Sequence, residues 1–177
     1  MIETNYILQV ATSLDGYIAR LDGSIDWLPV PEEGGEDYGY LEFYNSIDAL
    51  VMGSTTYEQI LGFEDWPYPG KFAYVLTSRN LSTTRTDVCF VNGGIEDVVE
   101  DVKKKGYKRV WVVGGGKVAS SFMEKGLVSE YIIGVIPIIL GAGISLYQSV
   151  PEQNLDLIET NTYSSGVVGL RYRTPSP

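Results

Sequence analysis

Apolar and polar positions along this chain follow two rhythms. Asn5 to Thr12, NYILQVAT, is rich in β-forming residues and predicts a first strand. Short apolar runs at Ala49 to Met52, Phe72 to Leu76, Val88 to Val91 and Val110 to Val113 predict further buried strands, and Tyr131 to Ile139 a longer one. Between them the period lengthens. Tyr40, Phe43, Tyr44 and Ile47 fall at i, i+3, i+4 and i+7, so Glu36 to Ser46 is expected to be helical. Thr55 to Leu61 predicts a short helix. Ile95, Val98, Val99 and Val102 line one face of another, with Glu96 and Asp97 in its first turn, Lys103 to Lys105 in its last, and Gly106 as its stop. Val118 to Lys125 predicts a helix ending at Gly126. Leu157 to Tyr163 and Val167 to Arg173 predict a hairpin around Ser164, Ser165 and Gly166.

Strands alternating with helices, then a terminal hairpin, indicate an α/β fold with a mostly parallel sheet and an antiparallel edge. Residues 1–177 are read as one domain, with no internal repeat and Ser13 to Pro31 as a polar loop carrying the dipeptide Asp-Gly twice.

Composition narrows the chemistry. The chain has no histidine, which removes histidine-dependent triads, zinc sites and acid–base work. Cys89 is the single cysteine, so no intrachain disulfide forms, and a cytoplasmic location is expected. No apolar stretch reaches the roughly 18 residues of a membrane span, and the amino terminus lacks a signal-peptide pattern. A formal net charge of −10 argues against a nucleic-acid partner. The apolar stretch Ile132 to Leu146 suggests a contact surface and a homodimer.

The stretch VVGGGKVASSF, Val112 to Phe122, carries the candidate chemistry. A P-loop would need glycine at Trp111 and Ser or Thr at Val118, and has neither. Gly114, Gly116 and Ala119 match a Rossmann fingerprint, but the following strand ends in IPIIL without the ribose-binding acid, and Glu130 lies at its start. Taken alone, the glycines are also explained as a tight strand-to-helix turn.

Four segments in order resemble the dihydrofolate reductase superfamily. They are ATSLDGYIA with DGSIDW, ALVMGSTTYE, YVLTSRN and VVGGGKVASSF. Downstream, EYIIGVIPIILGAG is similar to the reductase domain of bifunctional riboflavin-biosynthesis deaminase/reductases. The resemblance spans nearly the whole chain and implies a three-layer fold binding NADPH. It implies a pyrophosphate held between two helix starts, by Gly53, Ser54, Thr55 and Thr56 on one side and Gly114, Gly115, Gly116 and Lys117 on the other, with a cis Gly114–Gly115 bond. Simple N-capping is the other reading of Ser54 to Thr56. Ala11 and Ile18 would flank the nicotinamide, and Ser13 to Trp27 would be a mobile loop closing over it, although Asp15-Gly16 also reads as a turn alone. Thr77, Ser78 and Arg79 would meet the 2′-phosphate of the adenosine, which favours NADPH over NADH. Asp37 would be the acid near the substrate, and Asp37 or a water the proton donor; acids in a first helical turn also serve the helix dipole alone.

The implied activity is hydride transfer to a small heterocycle, such as a pterin or pyrimidinone, or to a sugar-derived carbonyl or imine, linked to riboflavin or folate metabolism. A non-catalytic nucleotide binder of the same fold is the alternative. The chain departs from the riboflavin-pathway pattern, which has an acid at Gly114, a lysine at Gln9 and a DNP segment where LGFEDWPYPG stands here. It departs from true dihydrofolate reductases in having Ser54 where many carry arginine.

Overall fold

The computed structural model describes residues 4–29 and 35–175. The first strand, β1 (Asn5–Ser13), lies near the middle of one eight-stranded sheet. After the short β2 (Tyr17–Ala19) come α1 (Tyr40–Ser46), β3 (Ala49–Gly53), α2 (Ser54–Ile60), β4 (Phe72–Leu76) and β5 (Val88–Val91). Then α3 (Ile95–Lys105), β6 (Arg109–Gly114), α4 (Gly116–Glu124), β7 (Val128–Ile136), β8 (Ile144–Ser145), β9 (Asp156–Thr162) and β10 (Val168–Arg173) complete the chain. The sheet order is β5-β4-β3-β6-β1-β7-β10-β9. Every pair from β5 to β7 is parallel; β10 runs antiparallel to β7 and to β9, which gives the expected hairpin edge.

Alternation along the strands divides the core into two. Tyr6 and Leu8 of β1 face the side covered by α3 and α4, where Val98, Val102, Phe122 and Met123 are buried. Ile7 faces the other side, where Phe43 of α1 and Tyr57 and Ile60 of α2 close over Leu50, Met52 and Trp111. The result is three layers, helices on both faces of a sheet.

The differences from the sequence expectations have local causes. Helix α1 begins at Tyr40 rather than Glu36, because Tyr38 and Gly39 take positive φ angles of 54° and 77° and make a turn instead. Strand β7 starts and ends three residues before the expected Tyr131 to Ile139, stopping ahead of Pro137. The two-stranded β2–β8 ladder was not expected, since elements of three and two residues carry no readable period. The expected end of the first loop at Pro31 lies outside the described residues. Of the apolar stretch Ile132 to Leu146, Ile133, Ile136 and Leu146 are buried within the chain, while Ile139 is exposed.

Candidate active site

Two helices start side by side at the carboxyl edge of the sheet. Strands β3 and β6 are neighbours with Met52 opposite Gly114, so the turns leading into α2 and α4 face each other. They are packed close: a Cβ on Gly53 would lie 3.3 Å from Val118 Cγ2, and one on Gly115 would lie 3.4 Å from Thr56 Oγ1. The Gly114–Gly115 bond is cis, and Gly114 has a φ of 117°, a region that residues with side chains rarely enter.

Both helices have a glycine at the N-cap, Gly53 for α2 and Gly115 for α4, and no side chain caps either one. The first-turn amides of α4 are therefore left as uncapped donors. Ser54, Thr55 and Thr56 occupy the first turn of α2 rather than its cap, so the capping explanation of these hydroxyls does not hold. With the exposed ammonium of Lys117, the junction presents amides, hydroxyls and one cation, a donor set suited to a phosphate.

The end of β4 lies to one side of this junction. Thr77 is buried, and its Oγ1 accepts a hydrogen bond from the Arg79 amide at 3.0 Å, so this hydroxyl shapes the turn. Ser78 is exposed. The Arg79 guanidinium donates to Glu58 Oε2 of α2 at 2.7 Å and holds that carboxyl below its usual range.

On the other side, one row crosses four strands: Ala11 pairs with Gly134, Gly134 with Gly169, and Gly169 with Asn161. No heavy atom lies within 4 Å of where a Cβ on Gly134 would stand. The adjacent row runs from Gln9 through Ile132 and Arg171 to Glu159. A trough of about 290 Å³ lies beneath α1 over Gln9, Ile132, Arg171, Glu159, Gly169 and Asn161, walled by Phe43, Glu42, Tyr38 and Tyr163 and reaching Ser46 and Arg109 toward the amino edge of the sheet. The Tyr38 and Tyr163 rings meet edge to face at 4.9 Å, and Tyr38 Oη donates to Ser165 Oγ at 3.2 Å, which walls the trough toward the hairpin turn. Burial, then the carboxylates of Glu36, Asp37 and Glu159, push the Tyr163 phenol up. Arg171 is held by Glu130, its Nε 2.8 Å from Oε1. A larger hollow of about 440 Å³ between α3 and Leu127, walled by Ile95 and Val99, lies on the opposite face and apart from the glycine junction.

The structure thus brings Gly53, Ser54, Thr55, Thr56, Gly114, Gly115, Gly116 and Lys117 to one junction, with Ala11 on one flank and Arg79 on the other. Ile18 packs onto the core on the α3–α4 side. Asp37 is placed differently from the expected substrate acid. It does not line the trough; its carboxylate accepts the amides of Leu41 at 3.1 Å and Gly39 at 3.0 Å, which start α1 and lower its pKa. Held ionised, it accepts hydrogen bonds and is poorly suited to donate a proton.

The expected mobile loop also differs. Asp15 accepts the amides of Gly141 at 2.8 Å and Leu140 at 3.1 Å, Leu14 N donates to Ile138 O, and β2 pairs with β8. Residues 13–19 are therefore fastened to residues 138–146. Beyond Ala19 the described residues are tied to α2 where Gln59 Nε2 donates to Gly23 O at 2.7 Å, and to one another through the Arg20–Asp26 ion pair at 2.7 Å. Gly134 and Gly169 stand out in the sequence as glycines inside strands, but nothing in the sequence shows that they pair, and Asn161 and Glu58 carried no signal.

A helix-flanked, mostly parallel sheet with a glycine junction at its carboxyl edge and a terminal hairpin defines a dihydrofolate-reductase-like α/β domain. Comparison with known proteins makes the assignment particular: residues 5–169 match the model of the RibD C-terminal domain, and the chain belongs to that family. It is 36% identical over 168 residues to the uncharacterized protein YwjB of Bacillus subtilis (strain 168), covering 94% of this chain and 96% of that one. Among solved structures, a protein of Shewanella sp. PV-4 assigned to riboflavin biosynthesis superposes with a TM-score of 0.88 at 30% identity, covering 98% of this chain and all of the other. The fold is shared with the diaminohydroxyphosphoribosylaminopyrimidine deaminase/5-amino-6-(5-phosphoribosylamino)uracil reductase of Thermotoga maritima, at a TM-score of 0.74 and 18% identity over 98% of this chain and 57% of that one. Among the described residues, no helix is long and apolar enough to cross a membrane.

Proposed function

We propose that this protein is an NADPH-dependent reductase that delivers hydride to a C=N or C=O carbon of a small, flat heterocycle. The observation that carries the reading is the phosphate-suited junction at the carboxyl edge, with open space over Gly134 two strands from β6 and, further along the same face, a trough over Gln9, Ile132 and Gly169. The trough's volume of about 290 Å³ falls just under the usual range of ligand pockets, roughly 300–1,000 Å³. Of the two tyrosines that could have filled it, Tyr40 stacks on Tyr44 and meets the edge of Trp111, while Tyr38 stands against Tyr163 as one wall. That leaves room for a substrate and favours catalysis over simple nucleotide binding.

The junction residues fit the cofactor. The α4 amides, the Ser54 to Thr56 hydroxyls and Lys117 would hold its phosphates. When bound, reduced nicotinamide supplies the hydride. The chain's own residues do the rest. Ala11 and the two glycines would allow flat rings to approach the sheet, while Gln9 and Asn161 in the trough offer carboxamides to orient the acceptor and α1 with Tyr38 and Tyr163 excludes water. With Asp37 committed to α1, a water delivers the proton. We further propose a cytoplasmic homodimer. The support for pairing is β9, a sheet edge exposed along its whole length and bearing Leu157 and Ile158.

The test combines NADPH binding by calorimetry with a screen of pterins, pyrimidinones and small carbonyls that follows NADPH absorbance. Turnover of one acceptor is expected, and Gly134→Leu should abolish it while NADPH still binds. NADPH binding with no acceptor consumed would favour the non-catalytic reading; no binding would overturn the cofactor assignment.

A further inference from the structure

A dinucleotide with its pyrophosphate at the α2–α4 junction must send its two nucleosides in opposite directions along the carboxyl edge of the sheet. The junction lies between β3 and β6; β1 and the trough are on one flank and β4 is on the other. The hydride-donating half belongs beside the trough, so the adenosine belongs at the end of β4, next to Arg79. This placement rests on the cofactor reading above.

The cation there is already matched. Arg79 Nη2 lies 2.7 Å from Glu58 Oε2, with side-chain exposures of 51% and 45%. Glu58 stands one turn into α2, four residues beyond Ser54, so the pair ties that helix to the β4 turn. The Arg79 amide is itself pinned by Thr77 Oγ1, which starts the side chain from a defined turn. Arg79 is the charged group that acts on the Glu58 carboxyl. Guanidinium and carboxylate in contact carry no net charge. A 2′-phosphate dianion would gain hydrogen bonds from Arg79 and meet repulsion from the Glu58 carboxylate paired with it. A 2′-hydroxyl could instead donate to the Glu58 carboxylate, the arrangement used by unphosphorylated dinucleotides.

We infer that Glu58 is a specificity-determining residue for the cofactor: it balances Arg79 and keeps the preference for NADPH over NADH small. Glu58→Gln removes the negative charge and leaves the guanidinium in place. Arg79→Ala leaves the carboxylate alone with the phosphate. Both side chains are half exposed, so both variants should fold and melt as the parent protein does.

Dissociation constants for NADPH, NADH, 2′-AMP and 5′-AMP, measured by calorimetry on the full chain, test the inference. The parent protein should bind NADPH less than about tenfold more tightly than NADH. Glu58→Gln should tighten NADPH and 2′-AMP by about tenfold and leave NADH and 5′-AMP within about twofold. Arg79→Ala should weaken NADPH and 2′-AMP by about tenfold and barely change the other two. A parent preference of about a hundredfold or more, or a Glu58→Gln effect that is absent or equal for all four ligands, overturns the role of Glu58 and leaves the cofactor reading standing. Failure of all four ligands to bind overturns the cofactor reading and this inference with it.

Discussion

Gly143 holds the first loop against the body of the protein, and adding a single methyl group there tests how. A Cβ on Gly143 would fall well inside contact distance of the Ala19 carbonyl oxygen, and 3.0 Å from Tyr17 Cβ. Carbon and carbonyl oxygen rest about 3.3–3.6 Å apart, so the β2 backbone must retreat by about 1 Å. That motion strains the Tyr17–Ser145 and Ala19–Ile144 pairs and the bond from Leu146 N to Gly16 O. Overpacking costs about 1–3 kcal/mol and each weakened hydrogen bond about 0.5–1.5 kcal/mol, so Gly143→Ala should lose about 2–4 kcal/mol. For a chain of this size that lowers Tm by roughly 5–15 °C. Urea unfolding followed by circular dichroism measures the loss, with an unchanged slope expected. Gly134→Ala is the control: its Cβ has no neighbour within 4 Å and its φ is not positive, so stability should hold or rise by up to about 1 kcal/mol. Equal stabilities for the two variants would refute the claim that residues 138–146 clamp the loop through this contact.

Two further outcomes are expected. Burial pushes the Tyr6 phenol up to about 12 and raises Tyr68 and Tyr74 further, and all three are buried. The unfolded chain ionises these phenols near pH 10 and the folded one does not. Stability is therefore intact below about pH 10 and falls by about 1.4 kcal/mol per pH unit for each phenol as pH rises toward 12. Near-ultraviolet phenolate absorbance should rise in two steps, the second together with loss of circular dichroism; all 13 tyrosines titrating as one near pH 10 with the fold intact would refute this. Sedimentation at micromolar concentration should give about twice the 19.5 kDa chain mass, and a monomer would refute pairing through β9.

How much of this could be read from the chain depends on how far apart the interacting residues lie. The expected bounds of β4, β5 and α3 match the structure, because each is set by local signals: an apolar run, or an amphipathic face closed by acids, lysines and Gly106. The start of α1 misled for a local reason too. Its apolar spacing is helical, but Asp37 captures the amides of Gly39 and Leu41 and lets the turn at Tyr38 win. The glycine junction was legible because each of its halves lies in one contiguous segment.

The trough was not legible, because register rather than period makes it. Gln9, Ile132, Gly169 and Asn161, with Gly134 next along its strand face, come from four strands, and no window of sequence contains their pairing. The same holds for Glu58 and Arg79, 21 residues apart on different elements. Yet the structure gives these glycines a meaning that a turn does not. Glycine inside a strand forfeits side-chain packing and costs backbone entropy. At Gly134 neither a positive φ nor a crowded neighbour demands it. A residue that weakens its strand without serving the fold is best explained by the space it leaves. That space lies in the Ala11 row, and the proposed reductase activity would use it to bring a flat acceptor against the nicotinamide.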